Sequence, residues 1–390
     1  LSVGIISLFI LSAVAPIGLG LNIKISKIHQ PSNIVYGNTL YVGGSGPNNY
    51  TKIQEAIDNA SNGDTVYVYD DSSPYYENIE IWEKSINLEG ENKDTTIIDG
   101  GGKPDDSVDI RSDYVEICCF TIKNGFRGIN IYNSDNHKVH FNNIINNWNG
   151  LSLMYSNNNQ IFNNSISNND YKGIVVHFRS SNNTFSHNDI LYNNQDGIWF
   201  EACCNNTISN NIIKLNERSG LWFEDPCYNN TIYKNTIFLN KDYGLHCCND
   251  FSRNTITVNT FINNRVGIYI VNGVHFSSDN NQIYHNNFIN NTVNAVDVCN
   301  NIWDDGKYGN YWDNYEELYP DAKKSLLKPW MWNTPYEFIG GDNKDNCPLI
   351  NQWKNPRPRS ITRNTPTYNP VWFRFFDMFP ILQRILQILR

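Results

Sequence analysis

Glycine sets the period of this chain. Gly128, Gly150, Gly173, Gly197, Gly220, Gly244 and Gly267 follow one another at intervals of 22 to 24 residues. Each opens an apolar-x-apolar triplet, such as Ile129-x-Ile131, Leu151-x-Leu153, Ile198-x-Phe200 or Leu221-x-Phe223. Alternation over so few residues is the pattern of a short, half-buried strand. Two more short apolar runs fall within each period, for example at Ile208 and at Ile212-Ile213. None of the three strands can bury a face alone, so the units must stack and share one continuous core. A leucine-rich repeat has a similar period but needs a regular Leu spacing that is absent here. The expected class is all-β, a parallel β-helix with three-strand coils and Ala295-Val296-Asp297-Val298 continuing the series.

About one residue in six is Asn, although Asn disfavours both helix and strand interiors. Its positions resolve the conflict. One series runs Asn143, Asn164, Asn188, Asn211, Asn235, Asn259, Asn287, and a second runs Asn158, Asn183, Asn206, Asn230, Asn254, Asn281. Both fall between strands, where Asn tolerates left-handed backbone and bonds its own turn. Stacked from coil to coil, identical Asn side chains also bond one another. The 40% apolar content supplies a sizeable core and excludes wholesale disorder. A formal charge of −9 without basic blocks excludes nucleic acid as a partner of the main body.

The ends of the repeat carry more specific motifs. Tyr50-Thr51-Lys52-Ile53-Gln54-Glu55-Ala56-Ile57 and Gly63-Asp64-Thr65-Val66-Tyr67-Val68 resemble the capping helix and first coil of right-handed parallel β-helix proteins of the pectin-lyase-like superfamily. Gly309-Asn310-Tyr311-Trp312-Asp313-Asn314-Tyr315 and Asp342-Asn343-Lys344-Asp345-Asn346-Cys347-Pro348-Leu349 resemble the exit of its NosD-like members. The resemblance covers roughly residues 40–351. It implies a right-handed helix over 40–302, capped by a helix near 51–60, and a closing segment over 303–351. Many relatives carry an Asp/Gly-rich loop between the exit motifs, suited to calcium. Here that stretch reads EELYPDAKKSLLKPWMW, which does not fit one.

Equal offsets from the marker glycine form columns, because coils stack about 4.8 Å apart. With the first and third residues after Gly inward, the second column reads Val175, Trp199, Trp222, His246, Tyr269, and the fourth reads His177, Glu201, Glu224, Cys248. Aromatic rings beside carboxylates fit a sugar-binding groove through Trp199, Trp222, His246 and Tyr269. Glu201, Glu224 and His177 are the candidate acid/base groups of a carbohydrate-active hydrolase or lyase. The plainer alternative is a row of rings that shield the sheet by stacking on each other. Polygalacturonases of the superfamily carry a Gly-His-Gly motif, which is missing, so polysaccharide or cell-envelope protein binding without catalysis is the preferred expectation. Asp105, Asp106, Asp109 and Asp113 around Arg111 read as a solvated loop in preference to calcium ligands.

Nine cysteines in a chain with export features point to disulfides, with Cys203 or Cys204 to Cys227 as the neighbouring-coil pairs. His246, Cys247 and Cys248, with Cys203 and His177 near, are the soft-ligand alternative for copper or zinc, of which the NosD resemblance raises copper. No CxxC or HxH spacing supports it. The sequons Asn182-Asn183-Thr184, Asn205-Asn206-Thr207 and Asn229-Asn230-Thr231 recur once per coil. They mark glycan acceptors or simply the Asn series. Residues 1–21 are uncharged and apolar, as in a secretory signal or membrane anchor. At the other end a Pro/Arg linker (352–370) leads to an amphipathic helix (371–390) suited to self-docking or membrane-surface contact.

Overall fold

The structure is a computed structural model that describes residues 37–354 apart from 103, 274–276 and 339–341. The segments expected to form a signal or anchor (1–21) and an amphipathic terminal helix (371–390) lie outside the described residues. The chain winds as a right-handed parallel β-helix of about eleven turns, with sheets of 11, 10 and 11 strands. A central coil shows the plan: Ile198–Glu201 in the glycine-led sheet, then Thr207–Ser209, then Ile212–Lys214, then Ser219–Glu224 one coil further on. Strands of two to six residues suffice because every one pairs with its equivalent on a neighbouring coil.

Register turns the sequence period into columns. Tyr75, Ile98, Ile122, Ile144, Ile166, Ile190, Ile213 and Ile237 stack as one inward file, which changes to Phe261, Phe288 and Trp312 toward the exit. Those last rings lie parallel, 5.3 Å and then 4.3 Å apart, with Tyr336 a further 4.1 Å on. Aromatic rings close the end of the core because a terminal coil lacks a neighbour to cover it. The closing segment is not separate from the helix: Tyr311–Trp312 supplies the last strand of the third sheet. At the other end the helix Ile53–Asn59 buries Ile53, Ala56 and Ile57 over the first coils. The Glu77 carboxylate, one coil away, accepts from the N–H groups of Ile53 and Gln54 at 2.9 and 3.0 Å.

The marker glycines serve close approach. A Cβ on Gly220 would stand 2.6 Å from Ile237 Cγ2, 2.8 Å from the Gly244 carbonyl and 2.9 Å from Asn240 Nδ2. The backbone corner is pressed against the next coil, so Gly220→Ala overpacks an interior that cannot yield. The expected cost is about 1–3 kcal/mol, read as a lower unfolding midpoint in denaturant; an unchanged midpoint would refute the close-approach reading.

Asn forms three buried ladders, one at each corner. At the first, the N–H of each of Asn159, Asn183, Asn206, Asn230 and Asn254 donates to Oδ1 of the Asn one coil on, at 2.7–2.9 Å. A second runs from Asn142 through Asn164, Asn188, Asn211, Asn235, Asn259 and Asn286 to Asn310. A third, unrecognised in the sequence, runs from Asn147 through Asn169, Asn193, Asn216, Asn240 and Asn264 to Asn291. The expected series were therefore out of step by one residue at their ends: Asn142, Asn159 and Asn286 are the ladder members, not Asn143, Asn158 and Asn287. The residue before every ladder Asn except Asn310 takes positive φ, as Asn158 (59°), Asn182 (58°) and Asn210 (56°) do. Even Val258 adopts φ 62° there, a strained choice for a β-branched residue that the bonded corner enforces.

The cysteines correct the disulfide expectation. All nine are free thiols. Cys203 and Cys227 do lie on neighbouring coils, but they continue a ladder that begins with Ser134, Ser156 and Ser180. The Ser134 N–H meets Ser156 Oγ at 3.4 Å, the Ser156 N–H meets Ser180 Oγ at 3.1 Å, and the Cys203 N–H meets Cys227 Sγ at 3.4 Å. Each thiol stands in for a serine hydroxyl as the acceptor at that corner.

Candidate functional site

The second and fourth columns face outward on the glycine-led sheet, the second in register over five coils. Val175 pairs with Trp199, Trp199 with Trp222, Trp222 with His246 and His246 with Tyr269; His177 pairs with Glu201 and Glu201 with Glu224. Alternation places Phe200, Phe223 and Cys247 on the inner side of the same strands, each fully buried. Strand geometry thus gathers the acidic, imidazole and indole groups onto one surface.

Their surroundings contain three residues that the columns after glycine did not include. Lys172 places Nζ 3.6 Å from the centre of the Trp199 ring, and the Arg218 guanidinium lies 3.5 Å from that of Trp222. These cations occupy indole faces that the sequence left open to a sugar, and Trp222 is left only 8% exposed. Asp196, fully buried, lies 3.8 Å from Arg218 Nη1 through Oδ2. Lys172 and Asp196 immediately precede Gly173 and Gly197, and Arg218 stands two before Gly220. The signal was present, one or two places upstream of the triplets.

The Trp199 indole N–H donates to Glu224 Oε2 at 3.1 Å, which fixes that carboxylate. Burial, with the charges of Asp225 and Glu224, raises the Glu201 carboxyl above its usual range. His177 Nδ1 is 3.8 Å from Glu201 Oε2. Burial, helped by Arg127 and Lys172, pushes His177 down to about 4, so at neutral pH the imidazole is uncharged and the contact is not an ion pair. Burial likewise lowers Lys172 and raises Asp196. His246, packed against Trp222 at 4.1 Å and against Tyr243 at 4.7 Å, is pushed down to about 4 by burial and Arg218.

Two buried ring nitrogens on this face, His177 Nε2 and His246 Nδ1, lack a hydrogen-bond partner among the described residues. Elsewhere the acidic loop is satisfied internally. Asp106 pairs with Arg127 and Asp109 with Arg111, each at 2.8 Å.

A protein-family model described as "Periplasmic copper-binding protein (NosD)" matches residues 57–242 and 177–317, which together cover most of the described helix. The chain belongs to the NosD family. Among curated proteins none matches. Solved structures similar to this NosD-family chain include pectate lyase Pel9A, at TM-score 0.56 and 14% identity over 73% of this chain and 85% of that one. The Dettilon tailspike protein aligns at TM-score 0.48 and 13% identity, over 67% of this chain and 62% of its own length. The periplasmic alginate epimerase AlgG aligns at 0.43 and 11%, over 61% and 72%. At these identities the likeness is one of fold.

The family description names copper, so the His/Cys group can be tested against it. His246 and Cys248 face outward, while Cys247 between them is fully buried in the core. Cys203 is committed to the Ser/Cys ladder. Side chains on opposite faces of one strand cannot converge on an ion, so this NosD-family site does not fit copper. Among the described residues no three His, Cys, Asp or Glu are gathered to hold a metal.

Proposed function

We propose that the protein is an exported solenoid that binds a polysaccharide along the outer face of the glycine-led sheet without cleaving it. One observation carries this reading: ring nitrogens of His177 and His246 without hydrogen-bond partners flank the Glu201–Glu224 carboxylates on the outer face of the same four coils. A buried polar atom without a partner costs free energy, and a chain of sugar hydroxyls supplies both donors and acceptors at a repeat. The family's periplasmic description and the apolar residues 1–21 support export. A cell-envelope protein is the other partner class for this face.

Hydrolysis fits the geometry less well. A retaining glycosidase places its two carboxyls on opposite sides of the sugar, whereas Glu201 and Glu224 project side by side from adjacent strands of one flat sheet. The second reading, a hydrolase or lyase using Glu201, Glu224 and His177, draws support from the raised Glu201 carboxyl and the neutral His177. A copper-accessory role finds no ligand set on this face.

A glycan array and a reducing-sugar assay separate these readings. Wild type is expected to retain specific glycans and release no product, with Glu201→Gln/Glu224→Gln weakening retention by about tenfold, one to two hydrogen bonds' worth. Product release by wild type that the double variant abolishes would establish the enzyme instead. Retention unaffected by the double variant and by Trp199→Ala would remove this face from the proposal.

A further inference from the structure

The coils near the exit differ from the rest on the outer face of the third sheet. Strands of this sheet bury their middle residue and turn the first and third outward. The third position is mixed over the early coils, with Asp99, Lys123 and Ser167, and becomes Phe238, Ile262 and Ile289 on three successive coils near the exit. All three are only half-buried. Ile212, 40% exposed on the coil before Phe238, and Leu239, 45% exposed at the adjoining corner, widen the stripe. Single exposed apolar residues are ordinary, but a contiguous patch marks an interaction surface.

The chain leaves the described structure beside this stripe. Asn287, the outward residue two before Ile289 on the same strand, holds both backbone groups of Trp353: its Oδ1 accepts from the Trp353 N–H at 2.7 Å and its Nδ2 donates to the carbonyl at 3.2 Å. The Trp353 ring lies flat on His285, 3.6 Å away at 3°. The end of the described chain is thus pinned to the third sheet at the very coil where the apolar positions run. Beyond it, residues 355–390 carry six arginines against one aspartate on a chain that is −9 overall. Ile381, Leu382, Ile385, Leu386 and Leu389 recur there at helical spacing.

We infer that residues 381–390 dock as a short helix on the outer face of the third sheet, over Phe238, Ile262 and Ile289. The lengths agree. Ten helical residues span about 15 Å, and the three coil spacings from Asn287 back to Ile212 cover about 14 Å. Residues 355–370 reach up to about 55 Å when extended, ample for the return from Trp353. The arginines of the tail complement the acidic body. The stripe lies on a different sheet from the glycan face, so the inference does not rest on that reading.

Hydrogen exchange on the full-length chain, in lipid-free solution at two protein concentrations, tests the docking. A ten-residue helix is marginal alone in water, so protected amides over 381–390 report a contact. Wild type is expected to slow exchange there by more than about tenfold relative to an unstructured chain. Ile385→Asp and Ile262→Asp, one on each side of the contact, should both return 381–390 to the unstructured rate while the coils keep their protection. Where Ile262→Asp loosens the coils themselves, Ile212→Asp, at a more exposed position, takes its place. Thr207→Asp, outward on another sheet, should leave 381–390 protected. The docking is overturned by an unprotected wild-type segment, or by protection that survives Ile385→Asp or the sheet variant or is lost in Thr207→Asp. Protection that fades on dilution, as for a second copy, or that appears only with anionic vesicles, as for a membrane surface, overturns it equally.

Discussion

Asn235→Ala is expected to lower stability by about 3–5 kcal/mol, more than any substitution on the outer face. Asn235 is 1% exposed and stands mid-ladder. Its Nδ2 donates to the Ile208 carbonyl at 2.8 Å and to Asn259 Oδ1 at 3.0 Å; its Oδ1 accepts from the Asn211 N–H at 2.9 Å and from Asn211 Nδ2 at 3.0 Å. Alanine leaves the Asn211 N–H buried without a partner, at about 1–3 kcal/mol, loses the other side-chain bonds at about 0.5–1.5 kcal/mol each, and opens a small cavity between coils. Asn210→Ala, one residue earlier at φ 56°, removes no ladder bond and should cost only about 1–2 kcal/mol for a left-handed alanine. Denaturant unfolding gives the ranking. Hydrogen exchange should place the Asn235 effect in the coils on either side, because repeat stability is carried by nearest-neighbour interfaces. A loss for Asn235→Ala no larger than that for Asn210→Ala would show that the ladder is not what holds the corners.

The contrast between those two residues also marks what the sequence could show. Period, strand columns and the two end motifs were legible because glycine spacing and apolar alternation report directly on close approach and burial. Asn was legible as a turn residue but not in its two roles: in a pair such as Asn182-Asn183, one member takes the left-handed angle and the other is buried in the ladder, and composition cannot tell them apart. The third ladder was missed although it recurs at the same spacing; the residues before it include Tyr192, Leu215 and Leu239 at positive φ, which mark it no more plainly as a turn than Val258 marks the second. Outward columns were legible as far as Trp199, Trp222, Glu201 and Glu224. Lys172 and Arg218 were not, since a long side chain reaches across to a ring on a neighbouring strand and its target cannot be read from its own position. The cysteines misled for a related reason: equal spacing of Cys203 and Cys227 fits a disulfide and a Ser-like ladder alike, and only the Ser134–Ser156–Ser180 context separates them.

Asp345→Asn is expected to destabilise the exit end by about 2–3 kcal/mol at pH 5, with an effect that shrinks as pH rises. Asp345 is the joint between the two exit motifs. Its Oδ2 accepts from the Asn310 N–H at 2.7 Å and from the Trp312 indole at 2.9 Å, and its Oδ1 from the Cys347 N–H at 2.9 Å. A Cβ on Gly309 would collide with the same carboxyl, which explains the glycine that opens the first motif. Asn310 in turn terminates the second Asn ladder by accepting from Asn286, so the carboxyl holds the last rung in place. Asparagine must turn an amide N–H₂ toward one of those donors, whichever way it lies. Burial pushes the Asp345 carboxyl up to about 7 from 3.8, outweighing the three donors that favour the anion. Between those values the unfolded chain has released the proton and the folded chain keeps it, so wild-type stability falls as pH climbs. The gap between wild type and Asp345→Asn should therefore narrow from about pH 4 to about pH 7 and stay level above that. Thermal unfolding across this range decides the sign: a gap that widens with pH would mean that the donors outweigh burial and that the exit motifs are built to hold a carboxylate anion.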